Sequence, residues 1–266
     1  GRKQRKFIMP KLVKKTFKQY EGKVYDLTIA NSHTYNIEDV EVKKVVEGSE
    51  NTIRKFPYQT PEYQVENGIT ILETEEGSMP IEIFGKHNLN NLAGAKWICQ
   101  QIGIDENDFY EAISSFQGAS KRLEKITETE NCVAYKDFAH SPSKVLATTN
   151  ALKNQFPNRK LIACLELHTY SSLNPEFLNE YKGTLDAADV AVVFYSPHAL
   201  EIKKLKAISQ QQIADAFQRD DLIIYTNPIA FKDFLFSQQF NDISLLLMSS
   251  GNYGGLDFDE LKNLIA

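Results

Sequence analysis

The stretch Ala134-Tyr-Lys-Asp-Phe-Ala-His-Ser-Pro142 reads as a buried strand that carries a carboxylate, Asp137, and an imidazole, His140, to its carboxyl end before a proline stops it. Helical spacing follows at once, from Lys144 to Gln155. A strand that ends in polar residues and passes into a helix is the repeating unit of an open α/β sheet. Ligands of such sheets sit beyond the carboxyl ends of the strands, where helix N-termini also point.

Downstream the pattern recurs. Strand-like runs at Cys132–Lys136, Leu161–Leu165, Val190–Tyr195, Leu222–Tyr225 and Ser244–Met248 alternate with helix-like runs at Lys144–Gln155, Glu176–Asp186, Gln210–Phe217 and Ile229–Gln239. Phe258–Ile265 adds a final helix. Apolar, β-branched strands separated by amphipathic helices predict a doubly wound, mainly parallel, Rossmann-like sheet covered on both faces.

Upstream, Tyr63–Glu66, Ile69–Thr74 and Met79–Phe84 alternate like strands and are separated by Glu66-Asn67-Gly68 and Glu75-Glu76-Gly77-Ser78, which predicts a small antiparallel meander. Helices are predicted from about Asn88 to Ile102, ended by Gly103, and over Glu106–Phe116, capped by Asp105. Trp97 and the phenylalanines fall at core spacing. His198, after Ser196-Pro197, reads as a loop or helix-entry residue. A short helix is also expected over Asp39–Glu50. The domain boundary falls near Gln117, so that 33–117 forms a partial central domain and 118–266 the parallel-sheet domain.

Residues 1–32 differ from the rest. Gly1 to Lys23 holds nine Lys/Arg and one Glu, a net charge of +8, which leaves −13 on the remainder of a chain whose total is −5. An acidic body argues against nucleic acid as a partner of the main domains. No apolar run approaches the ~18–20 residues that span a bilayer, so no membrane partner is expected. Cys99, Cys132 and Cys164 lie in apolar patterns without metal-like spacing, which suits free thiols in a reducing cytoplasm. Neither a Gly-x-x-x-x-Gly-Lys-Ser/Thr loop nor a Gly-x-Gly-x-x-Gly turn occurs in the 266 residues.

Four groups could carry chemistry. Asn88 and Asn91, three apart at a helix start, share one face and offer the donor–acceptor pair that matches adenine; helix capping by Asn88 is the plainer alternative. Arg122, after Gly118-Ala-Ser-Lys, has the fork geometry for a phosphate, or pairs with Glu124 or Glu128 on the surface. Asp137 could hold a ribose diol, and His140 could cap the following helix or meet a phosphate; both could equally be structural. Glu166-Leu-His-Thr-Tyr-Ser-Ser and Ser249-Ser-Gly-Asn-Tyr-Gly-Gly each end a strand, with His168, Ser171, Ser250 and Asn252 as candidate ligand contacts or as ordinary turn residues.

Three strings in order, Phe84-Gly-Lys-His-Asn-Leu-Asn-Asn-Leu-Ala-Gly-Ala, Phe116-Gln-Gly-Ala-Ser-Lys-Arg-Leu-Glu and Tyr135-Lys-Asp-Phe-Ala-His-Ser-Pro, closely resemble the Mur ligase family over about residues 33–266. The resemblance implies the end of the family's central ATPase domain and all of its C-terminal domain. It further implies ATP and Mg2+, with Asn88 and Asn91 on the adenine side, Arg122 at the phosphates, Asp137 on the ribose and His140 in the same signature. The β-strand-ending loops with His168, Ser171, Ser250 and Asn252 would meet the acceptor. The implied reaction joins UDP-N-acetylmuramate to the tripeptide L-alanyl-γ-D-glutamyl-meso-diaminopimelate through an acyl phosphate, as muropeptide-recycling members do. Lys136 stands where the family usually has a second acid.

The resemblance also implies parts not found in these residues, the UDP-sugar domain and the phosphate-loop half of the central domain, and the missing N-terminal half of the ligase is an expected partner. The 266 residues alone are therefore expected to be inactive. A non-catalytic module that binds a cell-wall peptide or nucleotide is the alternative. Lys23-Val-Tyr-Asp-Leu-Thr-Ile-Ala-Asn-Ser-His-Thr-Tyr35 is similar to the last block of inteins, but the closing His-Asn is absent, so splicing is not expected; a remnant, a chimeric join and a chance match all remain open.

Overall fold

A computed structural model describes residues 57–75 and 77–266. The basic leader, the intein-like block and the expected helix over Asp39–Glu50 lie outside the described residues. Three short strands, β1 (Tyr63–Glu66), β2 (Ile69–Thr74) and β3 (Gly77–Ile81), form the expected antiparallel meander. Asn67 and Gly68 both have positive φ, 51° and 79°, the two-residue turn that matches the twist of a hairpin. Gly68 is also fixed by space, because a Cβ there would stand 2.5 Å from the Phe156 ring.

Helices α1 (Lys86–Gln101) and α2 (Glu106–Ser114) follow. Asp105 caps α2 by accepting from the Asp108 N–H at 2.9 Å. Leu89 and Leu92 of α1 are buried against Leu72, Ile81 and Phe109. Trp97 is not a core residue: it is 38% exposed. Cys99, seven residues after Leu92, stays on the inward stripe. Trp97 comes five after Leu92 and is turned by roughly 140° at 3.6 residues per turn.

The second sheet has the order β4-β5-β9-β6-β7-β8. Its strands are β4 (Glu124–Glu128), β5 (Cys132–Asp137), β6 (Lys160–Leu167), β7 (Val190–Tyr195), β8 (Ile223–Tyr225) and β9 (Ile243–Met248). All neighbours pair in parallel except β4, an antiparallel edge strand on β5 that the sequence did not reveal. Alternate strand residues enter two separate cores. Val133, Tyr135, Ala163, Leu165 and Val193 meet α3 (Pro142–Gln155) and α5 (Gln210–Phe217) on one face; Cys132, Ala134, Cys164 and Phe194 meet α6 (Pro228–Phe236) and α7 (Phe258–Ile265) on the other. This is the doubly wound arrangement expected from the alternation.

Two segments depart from expectation. Residues 176–186 do not form a helix; a single 3-10 turn covers Leu178–Tyr181. Gly183, at φ 73°, breaks the winding, and the buried side chains of Leu178, Tyr181 and Leu185 pack from turns instead. Pro197–Ile202 forms a short helix, α4, capped by the Ser196 hydroxyl, so His198 is a helix-entry residue.

A polar joint ties the meander to the large sheet. Gln155, near the end of α3, donates from Nε2 to the Gly68 carbonyl at 2.7 Å, and Thr70 Oγ1 donates to Gln155 Oε1 at 3.3 Å. The Phe84 ring meets Tyr135 edge-on at 5.3 Å.

Candidate functional site

From β5 the chain crosses to β6, continues outward to β7 and β8, and returns to place β9 between β5 and β6. The direction of winding therefore reverses at β5, β9 and β6, and the crevice beyond their carboxyl ends is where such sheets bind ligands. Asp137, Leu167 and Met248 end these strands. The loops that follow are laced together, beginning with the Ser249 N–H, which donates to the Asp137 carbonyl at 2.9 Å.

Asp137 organises the first loop. Its Oδ2 accepts from the Leu123 N–H at 3.0 Å and its Oδ1 from the Ala139 N–H at 2.6 Å. The Phe138 N–H donates to the Lys121 carbonyl at 2.9 Å. Lys121 and Leu123 sit at φ 59° and 41°, a left-handed backbone that non-glycine residues hold only where surroundings enforce it. Arg122 is thus presented from a rigid loop beside the end of β5. Burial pushes the Asp137 carboxyl up; the two amide bonds and the nearby Arg122 and Lys144 charges oppose it. Lys144, in the first turn of α3, is lowered by burial and then by the Arg122 charge.

Lys144, like Glu166 below, is a site residue that the sequence does not single out. It was counted only as the start of a helix, which in fact begins at Pro142 and places Lys144 in the turn that faces Arg122 and Asp137. Ser141 supplies no side-chain cap to α3, and no acid lies in the first turn. A positive helix end with Arg122 and Lys144 beside it suits an anion such as a nucleotide phosphate. Among the described residues no group of three or more His, Cys, Asp or Glu stands together that could hold a metal ion by itself.

His140 does not cap α3, whose N-cap is Ser141. Its Nδ1 lies 2.8 Å from the Phe138 carbonyl, its ring packs edge-on against Phe138 at 5.1 Å, and its own carbonyl accepts from the Tyr181 hydroxyl at 2.5 Å. Nor does Asn88 cap α1: Gly85 is the N-cap, and the Asn88 carboxamide donates to the Phe84 carbonyl at 3.0 Å. Asn88 and Asn91 share a face of α1, both half-buried. The start of α1 abuts α3 near Ala151, since a Cβ on Gly85 would lie 2.7 Å from the Ala151 Cβ. Lys144 stands seven residues earlier on α3, roughly 10 Å along its axis at 1.5 Å per residue. The loop and helix thus bring Arg122, Asp137 and Lys144 together, while the asparagines stand on a separate element further along α3. Lys136 is engaged outside this cluster, in an ion pair with Glu124 at 3.0 Å.

The second part of the crevice joins β6 to β9. Glu166, one residue before the end of β6 and 3% exposed, accepts at Oε2 from the Ser249 hydroxyl and from the Tyr253 N–H at 2.9 Å. Its Oε1 lies 3.6 Å from His168 Nδ1. The Tyr253 hydroxyl lies 2.8 Å from the carbonyls of both Cys164 and Met248, one on each strand. Gly251 is required by space, because a Cβ would meet Glu166 Oε2 at 2.8 Å and the His168 ring at 3.0 Å. Ser171 is held within its turn by Thr169 Oγ1 at 3.1 Å. The Ser250 hydroxyl is buried without a hydrogen-bond partner, and Asn252 is exposed. Glu166 was not among the residues expected from the sequence.

No family model matches the chain. In sequence it is similar to several proteins named UDP-N-acetylmuramate–L-alanine ligase. That of Gloeothece citriformis is 31% identical over 157 residues, 57% of this chain and 31% of the relative. That of Sulfurihydrogenibium sp. is 27% identical over 188 residues, 68% of this chain and 40% of the relative. In fold it is similar to the UDP-N-acetylmuramate–alanine ligase MurC of Thermotoga maritima, with a TM-score of 0.57 at 14% identity, over 77% of this chain and 44% of that one. MurF of the same organism, solved with ADP, gives 0.51 at 16% identity, again over 77% and 44%. The chain spans about a third of the length of the relatives it matches in sequence. Sequence and fold thus both place the chain's likeness among the Mur ligases.

Proposed function

We propose that these residues are the C-terminal part of an ATP-dependent amide ligase that joins UDP-N-acetylmuramate to a cell-wall tripeptide, with 33–117 from the central domain and 118–266 as the C-terminal domain. The observation that carries the reading is the loop of Arg122, locked by Asp137 beside the uncapped start of α3 and Lys144. In this reading ATP is a substrate. Its phosphates lie toward Arg122, Lys144 and the α3 amides, its ribose toward Asp137, and its base toward Asn88 and Asn91; His140 borders the phosphates. When bound, magnesium would offset charge on the transferred phosphoryl group.

The sugar's carboxylate takes the γ-phosphoryl group, and the peptide amine displaces phosphate to form the amide. His168, Ser171, Ser250 and Asn252 face the peptide. The chain on its own is inactive in this reading, and its place is a bacterial cytoplasm. ADP binding tests it, followed by amide shifts of residues 118–145. Wild type binds weakly, and Arg122→Ala weakens binding about tenfold, the size of one charge-assisted contact. Absence of ADP binding, or an unchanged affinity in R122A, overturns the assignment; steady phosphate release with ATP, UDP-N-acetylmuramate and tripeptide overturns the claim of inactivity.

A second reading, a non-catalytic peptide-binding module, is favoured by the completeness of the β6–β9 edge within this chain. Tripeptide binding without any response to ADP would select it.

A further inference from the structure

Glu166 is a buried carboxylate whose two oxygens have different duties. Oε2 is committed to the Ser249 hydroxyl and the Tyr253 N–H, which immobilises the side chain. Oε1 faces Nδ1 of His168, whose side chain is 41% exposed. A carboxylate fixed beneath an accessible imidazole favours the tautomer with the proton on Nδ1, which leaves Nε2 as an acceptor. The separation of 3.6 Å is within ion-pair range and longer than a hydrogen bond. Neither loop, 166–172 nor 249–255, contains Lys or Arg. Among the side chains of these loops the imidazole is the basic group, with Lys203 from outside them over the Tyr170 ring at 4.9 Å; Gly251 packs against the imidazole, and the Ser249 N–H of the same loop bonds to the Asp137 carbonyl.

We propose that Glu166 and His168 form a dyad that receives the proton of the acceptor's primary ammonium group. This rests on the ligase reading and names what its acceptor edge does. An amine that arrives protonated has no lone pair to attack with. Nε2 of His168 takes one proton, and the Glu166 carboxylate stabilises the imidazolium. The amine nitrogen then bonds to the acyl carbon, the carbon–oxygen bond to the phosphoryl group breaks, and the departing phosphate carries off the electron pair and a second proton. Glu166 is a positioning residue; His168 touches the reacting nitrogen.

The test uses the full chain, 15N-labelled at histidine, and two probes: L-alanyl-γ-D-glutamyl-meso-diaminopimelate and its form acetylated on the alanine nitrogen. Imidazole 15N shifts are expected to report the Nδ1–H tautomer at His168. The free-amine peptide is expected to move the Nε2 resonance, and the acetylated peptide to leave it in place. Glu166→Gln keeps an acceptor for Ser249 and Tyr253 but loses the charge; it is expected to mix the tautomers and weaken the free-amine peptide about tenfold. His168→Gln, at an exposed position, is expected to abolish the preference between the two peptides while the fold persists. An Nε2–H tautomer in wild type overturns the dyad, as does equal response to both peptides or an unchanged E166Q. ADP-induced shifts at residues 118–145 report separately on the ligase reading, which survives a failed dyad if they persist.

Discussion

Gln155→Met tests whether the meander and the parallel sheet are held as one body by a polar joint. Methionine matches glutamine in length and removes both hydrogen bonds, so packing changes little. Gln155 and Thr70 are 4% and 0% exposed, so water does not reach the stranded Thr70 hydroxyl, and Gly68 is half-buried. The Gly68 carbonyl loses its 2.7 Å donor, and the Thr70 hydroxyl loses an acceptor at 3.3 Å. A buried polar group left unsatisfied costs about 1–3 kcal/mol, and the longer Thr70 bond sits at the low end of that range, so Q155M should cost about 2–4 kcal/mol. Urea denaturation measures the total. A cycle with Thr70→Val isolates the pair, because T70V removes the hydroxyl that Q155M strands; the double variant should be more stable than additivity predicts by about 1 kcal/mol. Hydrogen exchange should locate the loss in β1–β3 before the parallel sheet opens. A Q155M cost below about 0.5 kcal/mol, in the range of ordinary surface substitutions, would refute the reasoning.

Burial lowers the pKa of His87, in the first turn of α1, from 6.5 to about 4, so the folded state holds it neutral where the unfolded chain takes a proton. Stability from this group is complete above pH 6.5 and is lost as pH falls from there toward 4; urea midpoints should decline over that window and decline less in His87→Asn. Asp137→Ala strips the acceptor from the Leu123 and Ala139 amides; it should cost about 1–3 kcal/mol by denaturation and expose the 118–123 amides to exchange. Of the three thiols, Cys132 and Cys164 are buried and pushed up, Cys132 to about 11, so a native chain should titrate with Ellman's reagent at Cys99 first and at all three only in denaturant.

Strands β5, β6, β7 and β9 were legible because each is a short run of apolar residues buried on both faces, a pattern that few other structures share. Glu124–Glu128 was not, since an edge strand of alternating charge carries no burial signal. Phe177, Leu178, Tyr181 and Leu185 have helical spacing, yet the backbone at Gly183 winds the other way and only turns survive. In the site, Asp137 was visible from its place at a strand end. Glu166 occupies an equivalent place but was passed over, because a strand-end glutamate ordinarily faces water. Its partners Ser249 and Tyr253 lie 83 and 87 residues away, and no local pattern reports such a meeting. Gln155 is invisible for the same reason, with Thr70 and Gly68 at separations of 85 and 87.

β9 comes after every other strand of its sheet in the chain, yet it lies between β5 and β6 and pairs with both along its whole length. During synthesis, then, the β4–β5 hairpin and the β6–β7–β8 layer emerge from the ribosome as two halves with facing open edges. The crevice that holds Asp137, Glu166 and Ser249 is complete only once Ile243–Met248 is in place, so the candidate site and the middle of the sheet depend on the same late strand.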